Sequence, residues 1–201
     1  MAIQSKHKKR GSTLSLVAML VLLVALVVAI ILWPVEAKAS SLVSQPATAQ
    51  QDIEATTLIH AGDVAPDFSV EMLDGSTVTL SKFKGKVVLI SFWATWCPPC
   101  RQELSHMQEG VIDHFAGSDL VVLPISRGEK REVVESYIEK MGYTFPIGLD
   151  FDQSAYSKYA TNYIPRSVVV GRDGVVAYVA VGYDEQIAGE IEEAISEALK
   201  K

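Results

Sequence analysis

The chain has 201 residues, 18 of them Lys or Arg and 24 Asp or Glu, with a formal net charge of −6. Four of the basic residues, Lys6, Lys8, Lys9 and Arg10, sit together near the N-terminus; without them 14 basic residues face 24 acidic ones, a charge of about −10. That balance argues against nucleic acid or an anionic membrane surface as a partner of the remaining chain, and two cysteines are too few for a disulfide-scaffolded fold.

The basic segment, residues 1–13, precedes Leu14 to Trp33, twenty residues with no charge and one serine. As a helix at about 1.5 Å per residue this run spans roughly 30 Å, the thickness of a bilayer core. Basic residues stay cytoplasmic, so the run reads as a single-pass signal-anchor in the cell membrane. The N-terminus is then cytoplasmic and everything after Trp33 extracytoplasmic, in a periplasm or on the outer face. A cleaved signal peptide is the competing reading, because Ala37-Lys38-Ala39 fits a small-x-small cleavage pattern, but the apolar run is longer than the usual signal core. Residues 34–61 carry no sustained apolar period and are expected to form a flexible linker. Residues 62–201 are enough for one domain with its own core.

Within that domain, Phe68 to Met72 and Thr77 to Leu80 alternate about Asp74-Gly75, a hairpin signal. Val87 to Trp93 is a near-continuous apolar run, as in a strand buried on both faces. Pro99 to Phe115 is helix-compatible, with Leu104, Met107, Val111 and Phe115 as its apolar stripe. Leu120 to Ile125 reads as a strand, Glu129 to Met141 as a helix, Phe145 to Leu149 as a short strand and Ser154 to Tyr159 as a short helix. Ser167 to Val170 and Val175 to Val181 flank a second hairpin at Asp173-Gly174, and Glu185 to Leu199 forms the last helix. This order predicts an α/β fold of three layers with a mixed central sheet.

The chemistry is concentrated in Trp96-Cys97-Pro98-Pro99-Cys100, at the junction of the buried strand and the following helix. A CxxC pair alone is a redox couple, half of a zinc site or an accident. Zinc needs two further ligands, and His60, His106 and His114 form no close ligand pair, so no metal is expected. Neither GxGxxG nor GxxxxGK[ST] occurs, so no nucleotide or flavin cofactor is implied. A bridge across three residues gains little from loop entropy, so a reactive role suits it better than a structural one.

The strand-to-helix setting, the preceding Trp and the proline before the second cysteine make the motif specific. With Ala65-Pro66-Asp67-Phe68, Glu103 and Ile164-Pro165, the chain from Gly62 onward resembles the thioredoxin superfamily, and more narrowly the membrane-anchored thiol:disulfide oxidoreductases of the TlpA/ResA type. The resemblance implies a thioredoxin-like fold with an N-terminal β-hairpin. It makes Cys97 the nucleophile, Cys100 the resolving thiol and Pro165 a cis-proline facing the motif, with the backbone of Ile164 pairing with substrate. Trp96, Pro98 and Pro99 would line the substrate surface.

Many thioredoxins carry a carboxylate six residues before the first cysteine, where this chain has Ser91. Glu103 instead lies three after Cys100 and matches the position of a functional glutamate, fit to relay the Cys100 proton. The plainer reading is a first-turn glutamate answering the helix dipole. Arg166 replaces the Thr that many relatives carry after the cis-proline. It either faces the cleft, adding charge near Cys97 or selecting acidic partners, or points to solvent.

Pro98 and Pro99 remove two amide donors from the Cys97 thiolate, which makes the pair more reducing; Arg101 opposes this from a screened surface position. The expected function is therefore an extracytoplasmic reductant of protein disulfides such as the CxxCH cysteines of apocytochrome c, with electrons from a membrane thiol carrier. Two other readings compete. An AhpC-type thiol peroxidase shares the Ala65-Pro66-Asp67-Phe68 start, but its PxxxTxxC pattern is absent around Cys97, where Thr95 is out of register. A copper-binding metallochaperone would use the thiolates for Cu(I), although related copper carriers space their cysteines as CxxxC.

Overall fold

The computed structural model describes Val21, Leu23 and residues 47–201. The basic segment 1–13, the expected membrane anchor apart from Val21 and Leu23, and residues 34–46 lie outside the described residues. Among the described residues no helix is long and apolar enough to cross a membrane.

The sheet has seven strands in the order β2-β1-β5-β4-β3-β6-β7. They are β1 Ser69–Met72, β2 Thr77–Thr79, β3 Val87–Trp93, β4 Leu120–Arg127, β5 Gly148–Asp150, β6 Arg166–Val170 and β7 Val176–Val181. Strands β3, β4 and β5 run parallel, and the remaining pairs are antiparallel, so the sheet is mixed as expected. The predicted hairpin β1–β2 forms one edge. β3 lies between β4 and β6 and is buried at every residue, which is why its sequence, Val-Val-Leu-Ile-Ser-Phe-Trp, shows no alternation.

Side-chain alternation along β3 builds two cores. Val87, Leu89 and Trp93 face helices α2 Pro98–His106, α3 Arg131–Met141 and α4 Glu185–Leu199, through Leu104, Val134, Ile138, Ile191 and Ile195. Val88, Ile90 and Phe92 face the other way, onto Phe68, Ile59, Tyr156 and Tyr159. That second outer layer is built from a 3-10 turn, Tyr156–Lys158, and the chain around Ile59. The Ser154 to Tyr159 helix is thus reduced to one turn. The long helix expected from Pro99 to Phe115 is α only to His106 and continues as a π-helix, Met107–Asp113. Gly110 marks the change: a Cβ there would fall 1.8 Å from Nε2 of His106, whose ring lies over it.

The linker expectation needs correction. Its last part, Ala47–Thr56, is helix α1, and the compact unit that holds the sheet runs from Ala47 to Lys201, so it starts well before Gly62. Backbone bonds fasten the segment after α1 to the domain: Leu58 N–H donates to Tyr159 O at 3.0 Å, and Thr161 N–H to Thr56 O at 2.9 Å. Ile59 enters the second core at 4% exposure. The polar composition hid this, because a single buried isoleucine sets no period.

Candidate active site

β3 carries the chain into Ala94, and the turn to Cys97 is closed by the Cys97 amide donating to Ala94 O at 3.2 Å. Cys97 is the N-cap of α2: its Sγ accepts the Cys100 amide at 3.3 Å. Pro98 and Pro99 occupy the first helical positions, where an N–H has no intrahelical partner, so the helix loses nothing. The sulfur does lose: of the first three helical residues only Cys100 has an amide to offer.

Cys97 and Cys100 are joined as a disulfide, with S–S 2.08 Å and Cα–Cα 5.3 Å. Cys100 is fully buried among core side chains, while neighbouring Trp96 is 65% exposed and Pro98 is exposed. Cys97 is itself nearly enclosed, at 3% exposure against 0% for Cys100, so the small opening at the surface leads to Cys97 first and to Cys100 only through it.

Across from the motif, the Ile164–Pro165 peptide is cis. The carbonyl oxygen of Ile164 lies 3.6 Å from Cys97 Sγ. A disulfide sulfur has no proton to give, so this is a contact here; the reduced thiol would find an acceptor. Trp96, Pro98, Pro99 and Ile164 are exposed or half-buried around Cys97, and Pro165 is buried beneath. The structure therefore brings these predicted residues together.

Glu103 is buried on the α2 face that meets the sheet, three residues from Cys100 and so beside it on the helix. Its carboxyl is cradled by two serines that pair across β3 and β6: Ser91 donates to Oε2 at 2.7 Å and Ser167 donates to Oε1. The carboxyl that many thioredoxins hold on the strand is here supplied from the helix, and Ser91 serves it. Burial pushes the Glu103 carboxyl above its ordinary range, with the Ser167 and Ser91 hydroxyls pulling part of the way back. Its charge adds to burial in raising the Tyr183 phenol, which is pushed up to about 12.

Arg166 does not join the site. In register it faces Phe92, whereas Ser167 faces Ser91 and Glu103, so alternation sends Arg166 to the sheet face away from α2. It is neither in the cleft nor in solvent but fully buried. Nη1 donates to Thr57 Oγ1 at 2.9 Å and Nη2 to Asn162 O at 3.0 Å, tying the N-terminal segment to the loop before Pro165. Arg166→Ala is expected to lower unfolding free energy in urea by about 2–4 kcal/mol, through a cavity and two lost charged hydrogen bonds. Its glutathione equilibrium should stay within about twofold of wild type, since the charge lies off the cleft.

Two groups of site residues were not foreseen. Ser167 became visible only through the β3–β6 register. Glu129 lies 34 residues after Thr95, and its carboxylate accepts from the Thr95 amide at 2.8 Å and the Thr95 hydroxyl at 2.5 Å. No local pattern marks either. His60, His106 and His114 stay apart, each engaged with a carboxylate or an aromatic neighbour. Among the described residues no group of three or more His, Cys, Asp or Glu side chains is placed to hold a metal ion.

A helix-capping cysteine bonded to a buried partner, opposite a cis-proline on a mixed sheet, defines a thioredoxin-like thiol–disulfide exchange site. Comparison with known proteins agrees. Residues 61–179 match the AhpC/TSA family. The thiol-disulfide oxidoreductase ResA of Geobacillus thermodenitrificans is 31% identical over 126 residues, covering 63% of this chain and 72% of the relative. A solution structure from Bacteroides thetaiotaomicron superimposes with a TM-score of 0.68 at 33% identity, over 73% of this chain and 94% of its own. A thioredoxin family thiol:disulfide interchange protein of Chlorobium tepidum gives a TM-score of 0.58 at 26% identity, over 70% and 99%. The chain belongs to the AhpC/TSA family and is a thiol–disulfide oxidoreductase with ResA among its relatives.

Proposed function

We propose that this oxidoreductase works as a reductant of exported protein disulfides, held at the membrane by residues 14–33, with 1–13 cytoplasmic and the catalytic domain, described from Ala47, extracytoplasmic. The observation that carries the reductant reading is the donor set at Cys97. With Pro98 and Pro99 next in line, only the Cys100 amide reaches its sulfur. A thiolate so sparsely supported makes the dithiol form the less stable one, and the pair gives up electrons readily.

In this reading the Cys97 thiolate attacks one sulfur of a substrate disulfide, forming a mixed disulfide and releasing the other substrate sulfur as thiolate. Cys100 passes its proton to Glu103 and attacks Cys97 Sγ, releasing the second substrate thiolate and closing Cys97–Cys100. Two electrons have moved to the substrate, and a membrane thiol carrier must restore the dithiol. Trp96, Pro98 and Pro99 present an apolar surface to the substrate, and the Ile164 carbonyl, already against Cys97 Sγ, is free to accept a backbone amide from it. The CxxCH cysteines of apocytochrome c are the substrate class that the family resemblance suggests.

Trapping tests the reading. Cys100→Ala, expressed in the native membrane, should hold a dithiothreitol-sensitive adduct with an exported protein bearing paired cysteines, absent from Cys97→Ala. Recovery of no thiol-linked partner, or the same adduct from both variants, would sink it.

A further inference from the structure

Thr95 stands two residues before Cys97, and its turn is held from below by a buried carboxylate that the exchange chemistry does not use. Glu129, between β4 and α3, is 8% exposed. Its Oε2 accepts from the Thr95 amide at 2.8 Å and from the Ser126 hydroxyl at 3.0 Å, and its Oε1 accepts from the Thr95 hydroxyl at 2.5 Å. All three partners donate. Among the described residues no Lys or Arg pairs with it; nearby Arg131 is committed to Glu71 and Glu135.

The grip itself does not need the charge. A glutamine with its carbonyl at the Oε2 position would accept from the Thr95 amide and from Ser126, while its amide donated to Thr95 Oγ1. A buried, unpaired negative charge is costly compared with that neutral isostere. Its field, however, reaches the reacting sulfur. Two residues span at most about 7 Å of chain, which puts the carboxylate within roughly 10 Å of the Cys97 backbone, about one Debye length at 0.1 M salt. A negative charge at that range opposes a thiolate.

We propose that Glu129 is a positioning residue for Cys97: it anchors the Thr95 turn, and its negative charge disfavours the Cys97 thiolate and so favours the disulfide over the dithiol. The inference rests on Cys97 being the reacting thiol. It adds a second source of reducing power to the missing amides of Pro98 and Pro99.

The test is the balanced exchange of the full-length dithiol with one oxidised glutathione to give the disulfide and two reduced glutathiones, together with thiolate absorbance as a function of pH. Measured at a pH where Cys97 of the dithiol is ionised, Glu129→Gln should shift this equilibrium toward the dithiol by about three- to tenfold, with the Cys97 thiolate appearing at lower pH. Glu129→Asp keeps the charge but shortens the reach; it should slow exchange and leave the ionisation of Cys97 near wild type. If Glu129→Gln titrates and equilibrates as wild type, or if Glu129→Asp moves Cys97 as far as Glu129→Gln does, the proposal is overturned. A wild-type protein that fails to exchange with glutathione would instead remove the thiol-exchange reading beneath it.

Discussion

Cys97→Ala is expected to abolish disulfide exchange, lowering turnover of a protein disulfide by on the order of 10³-fold or more, while Cys100→Ala still completes the first half of the reaction. Removing a covalent nucleophile typically leaves only the residual effect of binding. The asymmetry follows from burial, because Cys100 is fully enclosed and cannot meet a substrate directly. Both variants are expected to keep the fold. The bridge spans a sequence separation of three, and loop entropy for so short a link is worth about 2 kcal/mol. Far-UV circular dichroism should therefore match wild type in both variants. Rapid alkylation of Cys100 by iodoacetamide in folded Cys97→Ala would contradict the assignment.

Glu103→Gln is expected to slow resolution of the mixed disulfide by on the order of 10–100-fold near neutral pH, the range of a single proton-transfer group. The resolving step needs Glu103 unprotonated, to take the Cys100 proton. Because burial raises the Glu103 pKa, the wild-type rate should rise with pH through an inflection above the ordinary carboxylate range. In Glu103→Gln that inflection disappears, leaving only the ionisation of the thiol. Stability runs in the opposite sense. A carboxyl whose folded pKa is raised contributes stability that is complete below its unfolded pKa and is lost as pH rises through the folded one. Wild type should therefore weaken relative to Glu103→Gln as pH rises across that window. Release of a chromogenic thiol from a Cys97 mixed disulfide measures the first effect and urea unfolding at several pH values the second. Superimposable profiles would remove Glu103 from the proton path.

How much of this was legible in the sequence depended on the range of the interaction. β3 and its exit into Cys97-Pro98-Pro99-Cys100 were fully visible, because an apolar run broken only by Ser91, two prolines and a cysteine cap are local signals. Glu103 was found by its spacing from Cys100, but its partners were not. Ser91 looked like a missing acid and Ser167 like ordinary strand, until the register set them side by side over one carboxyl. Arg166 shows the same limit: the local sequence offers cleft or solvent, whereas pairing with Phe92 sends the side chain into the far core. Helix α1 and the segment after it leave no local signal, because Thr56 and Leu58 hold by backbone bonds to Thr161 and Tyr159, about a hundred residues later, and Ile59 by burial in the second core. Glu129 closes its contact across 34 residues and is acidic, so nothing distinguished it from a solvated helix-start glutamate.

The central claim, that the Cys97–Cys100 pair is built to give electrons away, is tested most directly by its equilibrium with defined ratios of reduced and oxidised glutathione. The sparse donor set at Cys97 predicts a midpoint more reducing than about −200 mV, on the thioredoxin side of the scale. A midpoint near about −120 mV, that of a strong disulfide donor, would contradict it.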